Sequence, residues 1–284
     1  MNAISYATAQ ILRVLPRTKI TRAMGRLADY AWPEPVGKAV VNLYCRAYNV
    51  ELDECAKASG FASFDEFFTR ELREGARELP VDPKVIVSPA DGRIDSLGPV
   101  DGRKFTVKGR PYSVDELVGD PAEARRYEGG TGCIVYLSPR DYHRVHSPVE
   151  GSIVTVRSMP GDYYPVNEIG VRHVPNLFVR NRRVAIVIDT PESVGLGRVT
   201  IVMVAAMVVG RITVTGIDAR DVPFGEHPYE PPRHVRQGDE IGIFRLGSTA
   251  VVFFEPRAKL RWLVSEGPVR FGQPLGLREG GEAG

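Results

Sequence analysis

The chain has 284 residues, of which 43% are hydrophobic, 25% charged and 8% aromatic; this ordinary globular composition excludes wholesale disorder and suits one large domain or two unequal ones. Thirty-seven Lys and Arg against thirty-five Asp and Glu leave a formal charge of +2, too balanced for a protein that binds nucleic acid with its whole surface. Cys45, Cys55 and Cys133 lack metal-ligand spacing and are too few for a disulfide framework, so a reduced intracellular protein is the simpler expectation.

Along the chain, the opening stretch from Met1 to Leu15 is interrupted by Gln10 and Arg13 and followed by Pro16, which leaves no apolar core for a secretory signal. The first eighty residues read as helical. Leu12, Leu15, Ile20, Met24, Leu27 and Tyr30 recur at helical intervals, with Arg13, Arg17, Lys19, Arg22 and Arg26 between them and Trp32 beyond. Such a basic amphipathic segment fits either a helix packed on its own core or one lying in a membrane interface, its cations toward anionic headgroups. Val36, Val40, Leu43, Tyr44 and Ala47 form a second helical stripe. Ser63-Phe64-Asp65-Glu66 has the form of a capping box, with Phe64, Phe67, Phe68 and Leu72 as the buried face of the helix it starts.

Beyond Pro80 the pattern changes to short β-branched runs punctuated by Gly and Pro, among them Cys133–Leu137, Arg183–Ile188, Val199–Val209 and Ala250–Phe254. The apolar run from Ile201 to Val209 is too short to span a bilayer. The expected class is α+β, a helical N-terminal region (1–80) on a mainly β domain (81–284), with a mobile Gly/Glu-rich end after Leu277.

Three clusters carry candidate chemistry. Ser88-Pro89-Ala90-Asp91-Gly92-Arg93 places a carboxylate in a turn. In the run Ser138-Pro139-Arg140-Asp141-Tyr142-His143-Arg144-Val145-His146-Ser147-Pro148, Ser138 before Pro139 has the form of an N-cap followed by a helix-starting proline. His143 and His146 there would share a face on a helical turn and point apart on a strand. With Asp91 they could ligate zinc or act as acid and base. Finally, Gly247-Ser248-Thr249 sits between apolar segments and reads either as a hairpin turn or as a site where the Ser248 hydroxyl attacks the carbonyl of Gly247.

In this order the clusters resemble the pyruvoyl-dependent phosphatidylserine decarboxylases of the bacterial membrane-associated type. The likeness runs through Ser63 to Leu72, Ser88 to Gly92, Lys108-Gly109-Arg110-Pro111-Tyr112-Ser113, Tyr142 to Pro148, Pro160-Gly161, Tyr164-Pro165-Val166-Asn167, Leu177 to Asn181, and Leu246-Gly247-Ser248-Thr249. It departs at Val204-Ala205-Ala206 and Val209-Gly210-Arg211, where the family often has Val-Gly-Ala and Val-Gly-Ser.

The resemblance implies a β-rich catalytic domain in which Asp91, His146 and Ser248 form a protease-like triad used once, on the chain itself. Cleavage between Gly247 and Ser248 would give a β chain (1–247) and an α chain (248–284), with Ser248 converted to the covalent pyruvoyl cofactor and Schiff-base centre. His143 would protonate or position the substrate. The substrate would be phosphatidylserine in anionic membranes, the products phosphatidylethanolamine and CO2, and the enzyme a homo-oligomer of the αβ unit held peripherally at the cytoplasmic face of the cell membrane. No metal and no nucleic acid enter this reading. Two others compete: a zinc hydrolase using Asp91, His143 and His146, and a non-enzymatic membrane-binding module.

Overall fold

The structure, a computed structural model, describes residues 16–207, 210–245 and 248–279. Leu12, Arg13, Leu15, Val209, Leu246, Gly247 and the tail from 280 onward lie outside the described residues, as does the side chain of Ser248. Helices α1 (Arg17–Asp29), α2 (Glu34–Tyr48) and α3 (Phe64–Phe68) come first. None of the described helices is long and apolar enough to cross a membrane. α3 starts on half of the predicted capping box: Ser63 Oγ accepts from the Glu66 N–H at 3.1 Å. The reciprocal bond is absent, because the Glu66 carboxylate is drawn to Lys57 (2.8 Å) and to the Ala62 N–H. Phe67 and Phe68 are buried, Phe64 partly so.

Strands follow: β1 (Val85–Val87), β2 (Gly92–Asp101), β3 (Lys104–Val107), β4 (Arg110–Ser113), β5 (Thr131–Leu137), β6 (Arg144–His146), β7 (Gly151–Met159), β8 (Arg183–Asp189), β9 (Arg198–Ala205), β10 (Arg211–Val214), β11 (Gly225–Val235), β12 (Glu240–Arg245), β13 (Ser248–Phe254), β14 (Leu260–Trp262), β15 (Gly267–Val269) and β16 (Pro274–Arg278). β5, β8, β9 and β13 fall in the predicted β-branched runs, whereas the Pro-rich, polar β11 does not. Among the described residues one ten-stranded antiparallel sheet runs β11-β7-β8-β9-β13-β5-β2-β3-β4, with β15 beside β2; β10-β12-β6 and β1-β16-β14 form two smaller sheets.

Side-chain alternation splits the core in two, as a sheet buried on both faces demands. Ile201, Met203, Ala250 and Val252 join Val145, Ile212, Ile241 and Phe244 of the small β10-β12-β6 sheet. Val202, Val204, Val251 and Phe253 face the other way and pack with Ala28, Phe67 and Phe68 of the helices. The large sheet is therefore sandwiched between the helical layer and the smaller sheets.

Two local expectations are corrected. The segment after Ser138 is a turn, not a helix. The Asp141 carboxylate takes both the backbone N–H and the hydroxyl of Ser138 at 2.7 Å, and Arg70 Nη2 occupies the carbonyls of Arg140 and Asp141, which a helix would have used. Nor is Gly247-Ser248 the turn of a hairpin. β12 pairs with β10 and β6, whereas β13 pairs with β5 and β9, so the chain leaves one sheet at Arg245 and enters another at Ser248.

Candidate active site

Ser248 opens β13 at the centre of the large sheet, with its backbone opposite Leu137 on one side and Ala205 on the other. A strand end in this position is firmly placed, since both neighbours are buried apolar strands. The next residue, Thr249, is buried and its hydroxyl has no partner among the described residues.

Asp91 precedes Gly92, whose φ of 155° and close approach to the Tyr136 carbonyl leave no room for a Cβ. That glycine lets β2 join β5 directly after the carboxylate. Asp91 Oδ1 accepts from the Phe271 N–H at 2.7 Å and Oδ2 from Arg77 Nη2 at 2.8 Å. Burial pushes its carboxyl pKa up, opposed by Arg77 and by the Phe271 N–H.

His146 ends β6, and its N–H donates to Pro89 O at 2.8 Å, so the second cluster lies against the first. Its Nδ1 stands 2.8 Å from Gly238 O and its Nε2 3.0 Å from the Tyr142 hydroxyl. A carbonyl can only accept, so Nδ1 carries the proton and Nε2 accepts from Tyr142. The structure thus brings Asp91 and His146 together without a direct hydrogen bond between them. They meet through Phe271, whose backbone binds Asp91 and whose ring stacks on His146 at 3.7 Å. Burial lowers the His146 pKa to about 4 against the opposing pull of the Gly238 carbonyl, leaving a neutral imidazole at neutral pH.

His143 lies elsewhere. It is fully buried, its ring 4.0 Å from that of Phe68, and Nδ1 donates to Asp141 O at 2.7 Å. Nε2 has no partner among the described residues. Burial, aided by nearby Arg70, lowers its pKa to about 3. The two histidines point apart, as the strand alternative requires. Among the described residues no set of three His, Cys, Asp or Glu side chains converges on one point, and Asp91, His143 and His146 each have other partners.

Holding both imidazoles neutral makes the fold acid-sensitive. Their folded pKa values lie below the ordinary value near 6.5, so the unfolded chain takes up protons first as pH falls. Stability is expected to be full above pH 6.5 and to decline toward pH 4, by about 1.4 kcal/mol per pH unit for each histidine. Denaturant titrations at pH 7 and pH 5 check this; equal midpoints would contradict it.

The helical layer adds what the sequence clusters alone do not show. A largely apolar cavity of about 600 Å³ lies between α1, α2 and the sheet. Met24, Leu27, Val40 and Tyr48, all exposed, line it at the surface. Phe68, which packs on His143, and Leu137 and Ala206, at or beside the strand positions flanking Ser248, line its inner part. Exposed Tyr30, Val36 and Leu43 (70% exposed) extend the apolar surface around those two helices. One predicted surface cation proves structural. Arg17 is only 10% exposed, its guanidinium bonds both oxygens of Asp162 at 2.9 and 2.6 Å, and it lies over the Tyr164 ring. Arg22 and Arg26 remain exposed.

Tyr142, Arg77, Phe271 and Gly238 are the site residues that sequence reasoning did not single out. Tyr142 stands four residues before His146 inside the same run, a spacing that could have flagged it. The other three are brought in from distant segments and leave no local signal.

A family profile described as "Phosphatidylserine decarboxylase" matches residues 64–277. The chain is 39% identical over 274 residues to the phosphatidylserine decarboxylase proenzyme of Anaeromyxobacter sp. (strain K), covering 93% of this chain and 96% of the relative. It is 36% identical to the protein of the same name from Myxococcus xanthus (94% and 97% covered), and 39% identical to that of Bordetella pertussis (92% and 91%).

Proposed function

The chain belongs to the phosphatidylserine decarboxylase family, and from that premise we propose that it is made as a precursor, cleaves itself between Gly247 and Ser248, and then converts phosphatidylserine to phosphatidylethanolamine and CO2 at a membrane surface. The observation that carries the lipid part is the apolar cavity, which joins the exposed faces of α1 and α2 to the strand positions beside Ser248. A water-soluble amino acid would gain nothing from such a channel, whereas each buried acyl CH2 contributes about 0.8 kcal/mol.

In the proposed maturation, neutral His146 accepts the Ser248 Oγ proton at Nε2 once the Tyr142 hydroxyl yields its place. Oγ bonds to the Gly247 carbonyl carbon, the protonated His146 gives that proton to the departing Ser248 nitrogen as the peptide C–N bond breaks, and an ester links Gly247 to the Ser248 side chain. Loss of the Ser248 α-proton and of the Cβ–Oγ bond leaves a Gly247 carboxylate and dehydroalanine, which takes up water and releases ammonia to become the pyruvoyl group. Asp91 acts as a positioning residue here, since it fixes the Phe271 backbone whose ring holds the imidazole plane.

The residues around Ser248 fit that group: the neighbouring strands are apolar, and His143 Nε2 is a buried, unpartnered ring nitrogen beside the Phe68 wall of the same cavity. The pyruvoyl carbonyl supplies an electron sink for the pair released by departing CO2. Because Nδ1 donates to Asp141 O, His143 Nε2 is an acceptor, suited to take a proton from the substrate amine and return it to carbon. A neutral Nε2 cannot donate to the substrate carboxylate, which favours the proton-transfer role over carboxylate positioning.

Assay of the full chain with phosphatidylserine vesicles and with acyl-free glycerophosphoserine tests the lipid reading. Turnover of the acyl-free compound is expected to be at least about 100-fold weaker; equal turnover of both would overturn it. At the surface, reversing Arg22 and Arg26 should weaken co-sedimentation with anionic vesicles at low salt, while Leu27→Glu should weaken it at every salt concentration. Arg17→Glu behaves differently: it breaks a largely buried pair, so a stability loss of roughly 1–3 kcal/mol in thermal unfolding is its main effect.

A further inference from the structure

Arg211, one of the departures from the family pattern, sits in a charged cluster with Asp29 and Asp65, none of which contacts Asp91 or His146. β10 and β12 pair so that Arg211 lies directly opposite Arg245. Two guanidinium groups at opposed cross-strand positions repel and would splay the strands. Two carboxylates from the helical region prevent this. Asp29, the last residue of α1, receives Arg211 Nη1 and Nη2 at 2.5 and 2.7 Å and Arg220 Nη2 at 2.5 Å. Asp65 of α3, a buried side chain, receives Arg245 Nη1, Arg220 Nη2 at 2.9 Å and Arg211 Nη2 at 3.5 Å. Arg245 is steadied again by its Nε donating to Thr213 Oγ1 at 3.0 Å. A further close approach binds α1 to this edge: a Cβ on Gly210 would collide with Thr21.

Arg245 is separated from Ser248 only by Leu246 and Gly247, and β12 is the strand from which the chain crosses to β13. We propose that Asp65 is a positioning residue for self-cleavage: by binding Arg245 between Arg211 and Arg220 it fixes the β12 end that delivers the Gly247–Ser248 bond, and ties that end to the N-terminal helices. The inference rests on the self-cleavage reading of Ser248. Its physical basis is that intramolecular attack needs near-contact geometry, and a displacement of about 1 Å at the reacting atoms costs on the order of 100-fold in rate. The carboxylate acts through Arg245, not on the reacting atoms.

Cell-free translation of the full chain, with the cleaved fraction followed in time, tests this. Wild type must first resolve into two chains; if it stays single, the self-cleavage reading has failed and not this one. Given cleavage, Asp65→Asn is expected to slow it about 10- to 100-fold. Arg245→Met should slow it similarly, the double variant no further than the slower single one, and Arg245→Lys should stay within about 3-fold of wild type because a cation is kept. Phe67→Leu, which loosens the buried face of the same helix but leaves the charges, is the control for mere destabilisation. Wild-type rates in both Asp65→Asn and Arg245→Met would overturn the proposal, as would additive slowing in the double variant, or a Phe67→Leu variant as slow at equal loss of thermal stability. If Asp65→Asn does not accumulate as folded protein, Arg245→Met and Arg245→Lys decide the matter alone.

Discussion

Ser248→Ala is expected to accumulate as a single full-length chain and to release no CO2 from phosphatidylserine. The effect is total because alanine has no Oγ to form the ester, and no other side chain can become the pyruvoyl group. The variant should fold: Ser248 lies at a strand end between Leu137 and Ala205, where a methyl group is compatible with the apolar neighbours. His146→Ala removes the base and should slow cleavage by about 10²–10⁴-fold. Asp91 distinguishes two ways of building the site. If Asp91 bonded the imidazole directly, Asp91→Asn would impose the wrong tautomer and be as damaging as Asp91→Ala. Here the Gly238 carbonyl sets the tautomer, and an Asn carbonyl can still accept from the Phe271 N–H. Asp91→Asn should therefore cleave faster than Asp91→Ala by at least about 10-fold. Equal rates for the two on denaturing gels would contradict the route through Phe271.

His143→Ala should separate maturation from turnover. Its ring lies on the Phe68 side of the sheet, away from the Phe271 stack that holds His146, so cleavage should proceed near the wild-type rate. Decarboxylation should fall by about 10²–10⁴-fold, the usual contribution of a positioned proton-transfer group. His143→Gln can restore a hydrogen-bond acceptor but not a proton carrier, so it should bind substrate with little change in KM and remain poor in kcat. A cleavage defect as severe as that of His146→Ala would place both histidines in the maturation step.

Much of this was legible in the residues themselves. Short β-branched runs such as Val199–Val209 and Ala250–Phe254 foretell strands, and β9, which takes the first part of the former and ends at Ala205, pairs with β13 at the centre of the large sheet. Helical spacing of Met24, Leu27, Val36 and Val40 foretells α1 and α2, but not that these side chains stay exposed around a cavity, because a period reports a face and not what covers it. Gly247-Ser248 looks locally like a turn; only the pairing of β12 and β13 in different sheets reveals a crossover. Arg17 reads as one more surface cation until Asp162, distant in sequence, is placed beside it. The same holds for Arg77 and Phe271 at Asp91. Local pattern carries periodicity and capping, whereas long-range partners exist only once the sheet has brought them together.

Self-cleavage at Gly247–Ser248 with conversion of Ser248 to a pyruvoyl group leaves a distinct mass signature. Intact-mass analysis of the purified protein under denaturing conditions tests it most directly. Two species are expected, residues 1–247 ending in a free carboxylate and residues 248–284 lighter by one NH3 than the same peptide beginning with serine. A single mass for the uncut chain, or a 248–284 fragment with an ordinary amino-terminal serine, would contradict it.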